Sequence, residues 1–131
     1  MQKVLIFGTY DIIHPGHLNF FNQARKHGKL TIIISRDKTV KQVKGKLPLN
    51  NETKRLANLK SLNITENIFL GNLKDKYGII KQLKPDVICL GYDQEHFIDK
   101  LKQKIKEFNL TTKLIRLKPY KEKKYKSSKL K

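Results

Sequence analysis

Two histidines, His14 and His17, lie where an apolar run gives way to a helical pattern, in the stretch GTYDIIHPGHLNF. Between them, Pro15 suits the first turn of a helix, and Gly16 lets a ligand approach the backbone closely. The spacing of three brings both imidazoles to one side of that turn. The first backbone N–H groups of a helix have no partner within it and lie at the positive end of its dipole. The stretch therefore predicts a phosphate site flanked by two imidazoles.

Other roles for this histidine pair are a helix cap, a surface position and a zinc site. A zinc pair is disfavoured because the spacing is not i, i+4 and no cluster of Cys, His or carboxylate residues lies nearby. The one cysteine, Cys89, has no partner for a disulfide or a thiolate site. We therefore predict no metal-ligand set in the chain itself.

Apolar periodicity predicts strands that alternate with helices. The runs KVLIFG and LTIIIS are dense enough in apolar residues for strands covered on both faces. The clearest helix is the last, in which Leu101, Ile105 and Phe108 share one face. The predicted strands are residues 3–8, 30–35, 67–71, 86–92 and 111–117. The predicted helices are residues 17–26, 50–62, 75–85 and 94–108, and residues 36–48 are predicted as a lysine-rich connection.

This alternation is typical of the α/β class. It predicts a Rossmann-like, doubly wound parallel sheet of about five strands with helices on both faces. Such sheets bind ligands at the carboxyl ends of their strands, so the loops after Gly8, Ser35 and Gly91 should line the site. We expect a single domain over residues 1–117, followed by a basic tail, residues 118–131.

The chain is strongly basic, with 29 Lys and Arg residues against 11 Asp and Glu residues and a formal net charge of +18. Such a charge attracts anions of every kind, including nucleic acids. Only a few of these cations are arginines, and lysine is a solvated point charge without a bidentate fork. No stretch approaches the ~20 apolar residues of a membrane span. We expect a cytoplasmic protein with no membrane partner.

The stretch GTYDIIHPGH resembles the signature of the cytidylyltransferase-like nucleotidyltransferases. In that family, a Gly-Thr-Phe-Asp segment after the first strand leads to a His-x-Gly-His helix start. The resemblance runs through nearly the whole chain and implies transfer of a nucleotidyl group from a nucleoside triphosphate, with release of pyrophosphate. The reaction depends on positioning two anionic reactants and stabilising the charge that grows on the phosphoryl oxygens.

The resemblance implies that His14 and His17 are catalytic, hydrogen-bond the triphosphate and stabilise the transition state. Asp11 is expected to order the loop. A divalent cation carried by the nucleotide, which we expect to be magnesium, would bridge the phosphates. The residues assigned to nucleotide binding in this stretch are Thr9, Tyr10, His14, Pro15, Gly16 and His17.

Basic residues farther along the chain are candidates for phosphate contacts. Lys41, Lys44 and Lys46 lie close to the predicted strand edge, where they could attract the triphosphate or the phosphate of the acceptor. Lys44 is the leading candidate for a catalytic lysine, and Lys41 and Lys46 are assigned to phosphate support. Arg55 resembles the family's basic residue on the following helix and is also assigned to phosphate support.

The segment LKPDVICLGYDQ resembles the archaeal-type FAD synthases within the family, which adenylylate FMN. That resemblance implies ATP and FMN as substrates. Asp93 would face the nucleotide at a strand end, and Tyr120 could pack on the base. The alternative is a CTP-dependent enzyme that acts on glycerol 3-phosphate or a similar small phosphate. Such enzymes are expected to show a Gly-Asp-Asp-Trp-like segment where this chain has GYDQ.

The tail is shorter than the resemblance implies. Relatives carry an Arg-x-x-Gly-Ile-Ser-Thr-Thr-Lys-Ile-type segment, and here only Ser127 and Ser128, assigned to nucleotide binding, and Lys129, assigned to phosphate support, match its core. The resemblance also suggests a homodimer. An alternative of another class is a nucleic-acid-binding protein that uses the basic tail. It is disfavoured because the sequence contains no recognised nucleic-acid module.

Overall fold

The computed structural model describes residues 2–73, 77–91 and 95–117, with backbone only for 95–97. Strands and helices alternate along these ranges. The strands are β1 (Lys3–Gly8), β2 (Lys29–Ile34), β3 (Asn67–Leu70), β4 (Val87–Leu90) and β5 (Lys113–Arg116). The helices are α1 (Pro15–Arg25), α2 (Asp37–Lys44), α3 (Glu52–Ser61), α4 (Gly78–Leu83) and α5 (Glu95–Glu107).

The five strands form one parallel sheet in the order β3-β2-β1-β4-β5. The chain moves outward from β1 to β2 and β3, and then crosses back to β4 on the other side of β1. The order of the strands therefore reverses beside β1, and ligands of doubly wound sheets bind outside the carboxyl ends at such a point. The loop that carries the two histidines leaves the sheet at this position.

Both faces of the sheet are covered. One apolar cluster packs Phe21 of α1 and Leu59 of α3 against the sheet, and the other packs Ile80 of α4 and Leu101 of α5 against the opposite face. Each fully buried side chain of this size stabilises the fold by about 1.5–3 kcal/mol. Within the described ranges, no helix is long and apolar enough to cross a membrane.

The predicted Rossmann-like parallel sheet of five strands is confirmed. The prediction that residues 36–48 are a connection is wrong, because they contain helix α2. Its apolar pattern is only two valines at a spacing of three, of which Val40 is buried and Val43 is 57% exposed, so the helical signal is short. A signal was available in Asp37 at the start and Gly45, which ends the helix with a φ of 81°.

Candidate functional site

The loop after β1 ends in an unusual helix cap made by the two histidines. His14 is the N-cap of α1 and has an extended backbone, with φ −136° and ψ 171°. Its imidazole Nδ1 accepts a hydrogen bond from the backbone N–H of Gly16 at 3.1 Å. In return, the backbone N–H of His14 donates to Nδ1 of His17 at 3.3 Å. Each histidine thus takes the place that Ser, Asp or Glu occupies in an ordinary capping box.

This cap changes the expected phosphate site. The sequence predicts that unpaired backbone N–H groups of the first turn hold the anion, and that expectation is wrong in detail. Pro15 has no N–H, Gly16 donates to the His14 ring, and the His17 N–H donates to the His14 carbonyl at 2.9 Å. The donors left for a phosphate at this turn are therefore on the imidazoles.

The hydrogen bonds also fix which ring nitrogen of each histidine carries the proton. A neutral imidazole has one donor and one acceptor nitrogen. Because Nδ1 of both His14 and His17 accepts a backbone N–H, the proton of each neutral ring is on Nε2. The two ring centroids are only 3.9 Å apart. The pair therefore offers two Nε2–H donors side by side.

The surroundings of both histidines favour the neutral imidazole. Burial lowers the pKa of His14, and burial together with the neighbouring His14 lowers the pKa of His17 to about 4. Two positive charges at this separation would repel each other, which opposes protonation of the second ring. The two imidazoles therefore offer directed N–H donors without a positive charge on either ring.

The Tyr10 side chain lies in the core beside the histidine cap. Its side chain is 7% exposed, and its ring packs edge-on against His17 and Phe21, with ring centroids at 5.6 Å and 5.2 Å. The ring therefore faces the core, and the assignment of Tyr10 to nucleotide binding stays a prediction. Gly8, the last residue of β1, leaves room for the Tyr10 ring.

Asp11 orders the loop, as expected. Its carboxylate accepts hydrogen bonds from the backbone N–H groups of Leu49 at 2.7 Å and Asn50 at 2.8 Å. The side-chain amide of Asn50 donates back to the Asp11 carbonyl at 2.9 Å. The loop after β1 is thereby fastened to the segment that precedes α3.

Arg55 is buried among backbone carbonyls and a carboxylate, and its assignment to phosphate support stays a prediction. Its side chain is 0% exposed. The guanidinium donates to the Thr9 carbonyl at 2.8 Å, the Asn50 carbonyl at 3.0 Å and the Asp37 carboxylate at 2.7 Å. Burial alone would raise the pKa of Asp37, but hydrogen bonds from Arg55 and the Glu52 N–H, with the Arg55 charge, hold it below its usual value. Arg55 therefore ties the histidine loop to α2 and α3.

A second arginine extends this network to the ends of β2 and β3. Arg36 pairs with Glu52 at 2.7 Å and donates through Nε to the Gly71 carbonyl at 2.7 Å. Glu52 also accepts the Asp37 N–H at 2.9 Å. The sequence analysis missed Arg36, Asp37 and Glu52. A signal was the presence of two acids in the first turns of helices in a chain with only 11 acidic residues.

The three predicted lysines remain candidates. Lys41 and Lys44 lie in the last turn of α2, Lys46 follows the turn at Gly45, and all three are exposed. Thr9 is half-buried in the loop, with its carbonyl bound to Arg55. The remaining predicted site residues lie outside the described residues: Asp93, Tyr120, Ser127, Ser128 and Lys129.

Comparison with known proteins decides the family. The model of the cytidylyltransferase-like family matches residues 5–131. The chain belongs to this family. The FAD synthase of Methanohalophilus mahii is 38% identical over 118 residues, which cover 89% of this chain and 82% of the relative. The FAD synthase of Pyrococcus horikoshii is 39% identical over 120 residues, which cover 90% of this chain and 80% of the relative.

A solved structure has the same fold. The lipopolysaccharide core biosynthesis protein from Thermoplasma volcanium superposes with a TM-score of 0.83 at 34% identity, over 92% of this chain and 98% of that protein. The histidine cap described above is thus the His-x-Gly-His helix start of a cytidylyltransferase-like protein. The predicted family resemblance is confirmed.

The lowered pKa of His17 predicts that stability depends on pH. Between about pH 4 and pH 6.5 the unfolded chain binds a proton at His17 that the folded cytidylyltransferase-like domain does not, so the free energy of unfolding falls as pH decreases through this range. At neutral pH, the lowered pKa of His17 is linked to a difference of about 3 kcal/mol in the free energy of unfolding relative to acidic pH.

Urea unfolding of wild type and His17→Gln at a series of pH values measures this difference. The free energy of unfolding of the variant should depend less on pH. His27→Gln, at the other end of α1, is the matched control. An identical pH dependence in wild type and His17→Gln would contradict the assignment.

The position of Arg55 predicts a loss of stability when its guanidinium is removed. Arg55→Met leaves the Asp37 carboxylate and two carbonyls without their donor, so the free energy of unfolding should fall by about 3–5 kcal/mol in urea denaturation. Lys54→Met, which removes an exposed cation from the same helix, should change it little. If Arg55→Met kept the stability of wild type and only raised the KM of the nucleotide, direct phosphate contact would be the better account.

Proposed function

We propose that this protein is an FMN adenylyltransferase, which transfers AMP from ATP to FMN and releases pyrophosphate, giving FAD. The observation that carries the reaction class is the reciprocal histidine cap at the carboxyl end of β1. The choice of ATP and FMN is supported by the relatives named FAD synthase, at 34% to 39% identity over most of the chain.

The chemistry is an in-line displacement at the α-phosphorus of ATP. A phosphate oxygen of FMN attacks that phosphorus, a new P–O bond forms, and the bond to the oxygen that bridges the α- and β-phosphorus breaks. Negative charge shifts onto the leaving pyrophosphate. The Nε2–H groups of His14 and His17 donate to oxygens that gain charge in the transition state, and they are already oriented before the nucleotide binds.

Neutral donors suit this role better than charged ones would. A cation would stabilise the ground-state triphosphate, which already carries its charge, as well as the transition state. A directed N–H group favours the geometry in which it is aimed at the oxygen that gains charge. Because a backbone N–H donates to each Nδ1 atom, both rings are oriented before the nucleotide binds.

The remaining predicted residues are assigned within this proposal. Lys44 would supply a mobile cation near the reacting phosphates, with Lys41 and Lys46 adding to the local positive potential. Thr9, Pro15 and Gly16 would border the triphosphate at the start of α1. Asp93, Tyr120, Ser127, Ser128 and Lys129 are proposed to complete the nucleotide site, and the protein to act as a homodimer, on the family resemblance alone.

Magnesium is proposed to arrive with ATP. It holds several waters and commonly takes phosphate oxygens with only one or two carboxylates. Among the described residues, no group of three or more His, Cys, Asp or Glu side chains could hold a metal ion by itself. This fits a cation bound mainly by the triphosphate and water. Its chemistry would be to bridge phosphate oxygens and offset the charge of the leaving pyrophosphate.

The proposal predicts pyrophosphate release with ATP and FMN in the presence of magnesium, with FAD as the other product. CTP with glycerol 3-phosphate should give no turnover, because a site for the isoalloxazine ring fits a small polar acceptor poorly. A coupled pyrophosphate assay and chromatography of the flavin measure both reactions. Turnover with CTP and glycerol 3-phosphate alone would keep the reaction class and overturn the substrates.

The same assay tests the histidines. His14→Ala and His17→Ala should each lower kcat by about 10²–10³ because each removes one donor to the transition state. His27→Ala is the matched control and should keep the wild-type rate. Circular dichroism establishes that the variants are folded. A folded His14→Ala, His17→Ala double variant with near-normal kcat would remove the histidines from the mechanism.

A further inference from the structure

We propose that Tyr10 is a positioning residue for His17: its ring, packed over Gly8 and against the imidazole, holds His17 so that Nε2 faces the phosphate edge of the sheet. The inference concerns how the catalytic donor is oriented. Its test by turnover measurements rests on the proposed function. The ring is buried and so has no direct contact with a nucleotide in this account.

The position of the Tyr10 ring depends on the missing side chain of Gly8. A Cβ atom built on Gly8 would lie 2.4 Å, 2.7 Å and 2.8 Å from three atoms of the Tyr10 ring. Such distances are far inside van der Waals contact, so the ring fills the space that a side chain would take. The close fit leaves the ring little freedom to move toward the backbone of β1.

The backbone conformation of Tyr10 directs its ring inward. Its φ is 53°, in the left-handed region that non-glycine residues adopt at an energetic cost. The phenol oxygen donates to the Phe7 carbonyl at 3.2 Å, three residues back along the chain. This backbone conformation places the aromatic ring beneath the loop. The contacts of the ring must offset the energetic cost of the strained backbone.

Those contacts include the catalytic imidazole. The Tyr10 ring meets His17 nearly perpendicularly, at 80° between planes and 5.6 Å between centroids. It also meets Phe21, one turn after His17 on α1, with 63° between planes and 5.2 Å between centroids. His17 and Phe21 are themselves stacked with centroids 6.5 Å apart. Tyr10 and Phe21 thus bound the imidazole on two sides.

His17 needs this support because its hydrogen bond holds it loosely. The bond from the His14 N–H to Nδ1 is 3.3 Å long, beyond the usual range for N–H donors. A small rotation of the ring would break it and swing Nε2 away from the phosphate. Displacements of about 1 Å in such groups cost about 10²-fold in rate.

The experiment compares Tyr10→Leu, Tyr10→Phe and, as matched control, Phe20→Leu. Phe20 is a partly buried aromatic residue of α1 that packs on the same core cluster. Each variant is measured for kcat and KM of ATP in FAD formation, for urea stability, and for the imidazole ¹⁵N spectrum of His17. Tyr10→Leu should lower kcat by about 10²-fold with a smaller change in KM. Tyr10→Phe, which keeps the aromatic ring, should retain most of the wild-type kcat.

The spectrum separates positioning from stability. In wild type and Tyr10→Phe, His17 should show one neutral tautomer with the proton on Nε2. In Tyr10→Leu it should show exchange between tautomers, while Phe20→Leu should resemble wild type in spectrum and kcat even if it is less stable. A folded Tyr10→Leu with the wild-type spectrum and kcat would overturn the inference, and so would a loss of kcat in Phe20→Leu equal to that in Tyr10→Leu.

A pair of Gly8 variants adds a second test that does not depend on one substitution. Gly8→Ala should lower both stability and kcat, because its Cβ collides with the Tyr10 ring. Gly8→Ala combined with Tyr10→Leu should recover stability, since the clash is gone, but not kcat. Recovery of both stability and kcat would mean that the Tyr10 ring only fills space and does not position His17.

Failure of the proposed function gives a different result from failure of this inference. If wild type forms no FAD from ATP and FMN, the substrates are wrong, and the ¹⁵N spectra of wild type, Tyr10→Phe and Tyr10→Leu still decide whether Tyr10 sets the tautomer of His17. If wild type forms FAD and the spectra of the three proteins are the same, the function stands and the positioning role of Tyr10 is overturned.

Discussion

The buried guanidinium of Arg55 is the interaction on which the geometry of the site most depends. A fully desolvated cation is tolerated only with an anion and acceptors around it, and here these are Asp37 and the carbonyls of Thr9 and Asn50. Those groups belong to the loop after β1, the start of α2 and the segment before α3. Satisfying one charge therefore fixes three elements relative to one another.

The site divides two tasks between different kinds of basic group. A net charge of +18, carried mostly by lysines, raises the local concentration of anions but does not orient them. Under the proposed function, orientation comes from His14 and His17, whose lowered pKa values favour neutral rings and whose Nδ1 atoms accept backbone N–H groups. A phosphate would then be attracted by a diffuse field and oriented by two directed donors.

Much of the fold was predictable because its strands are local and strongly patterned. The buried strands β1 and β2 are near-continuous apolar runs, and the order of elements implies a parallel sheet. Helix α2 was missed because a helix with one buried valine leaves almost no periodic signal. The helix predicted over residues 50–62 ends at Ser61 in the structure, and Leu62, just past its end, is 40% exposed.

The histidines could be found from sequence because their spacing and their place after a strand are local features. The contacts of Arg55 and Tyr10 could not be found in this way. They depend on residues far apart in the chain and on the direction in which a side chain points. Arg55 reaches Thr9 across 46 positions in the chain, and no local pattern reveals that contact. The family resemblance assigned Tyr10 to nucleotide binding, and it gave no sign that the left-handed backbone at Tyr10 turns its ring into the core.

The central claim is that two neutral imidazoles, protonated on Nε2, meet the triphosphate at the carboxyl end of β1. The most direct measurement is the imidazole ¹⁵N spectrum of the wild-type protein at pH 7, recorded with and without magnesium and a non-reactive ATP analogue. The account predicts that both rings are neutral before the nucleotide is added, and that the nucleotide shifts the Nε2 resonances of His14 and His17 while Nδ1 changes little. Imidazolium in the free protein, or a proton on Nδ1 of either ring, would contradict it.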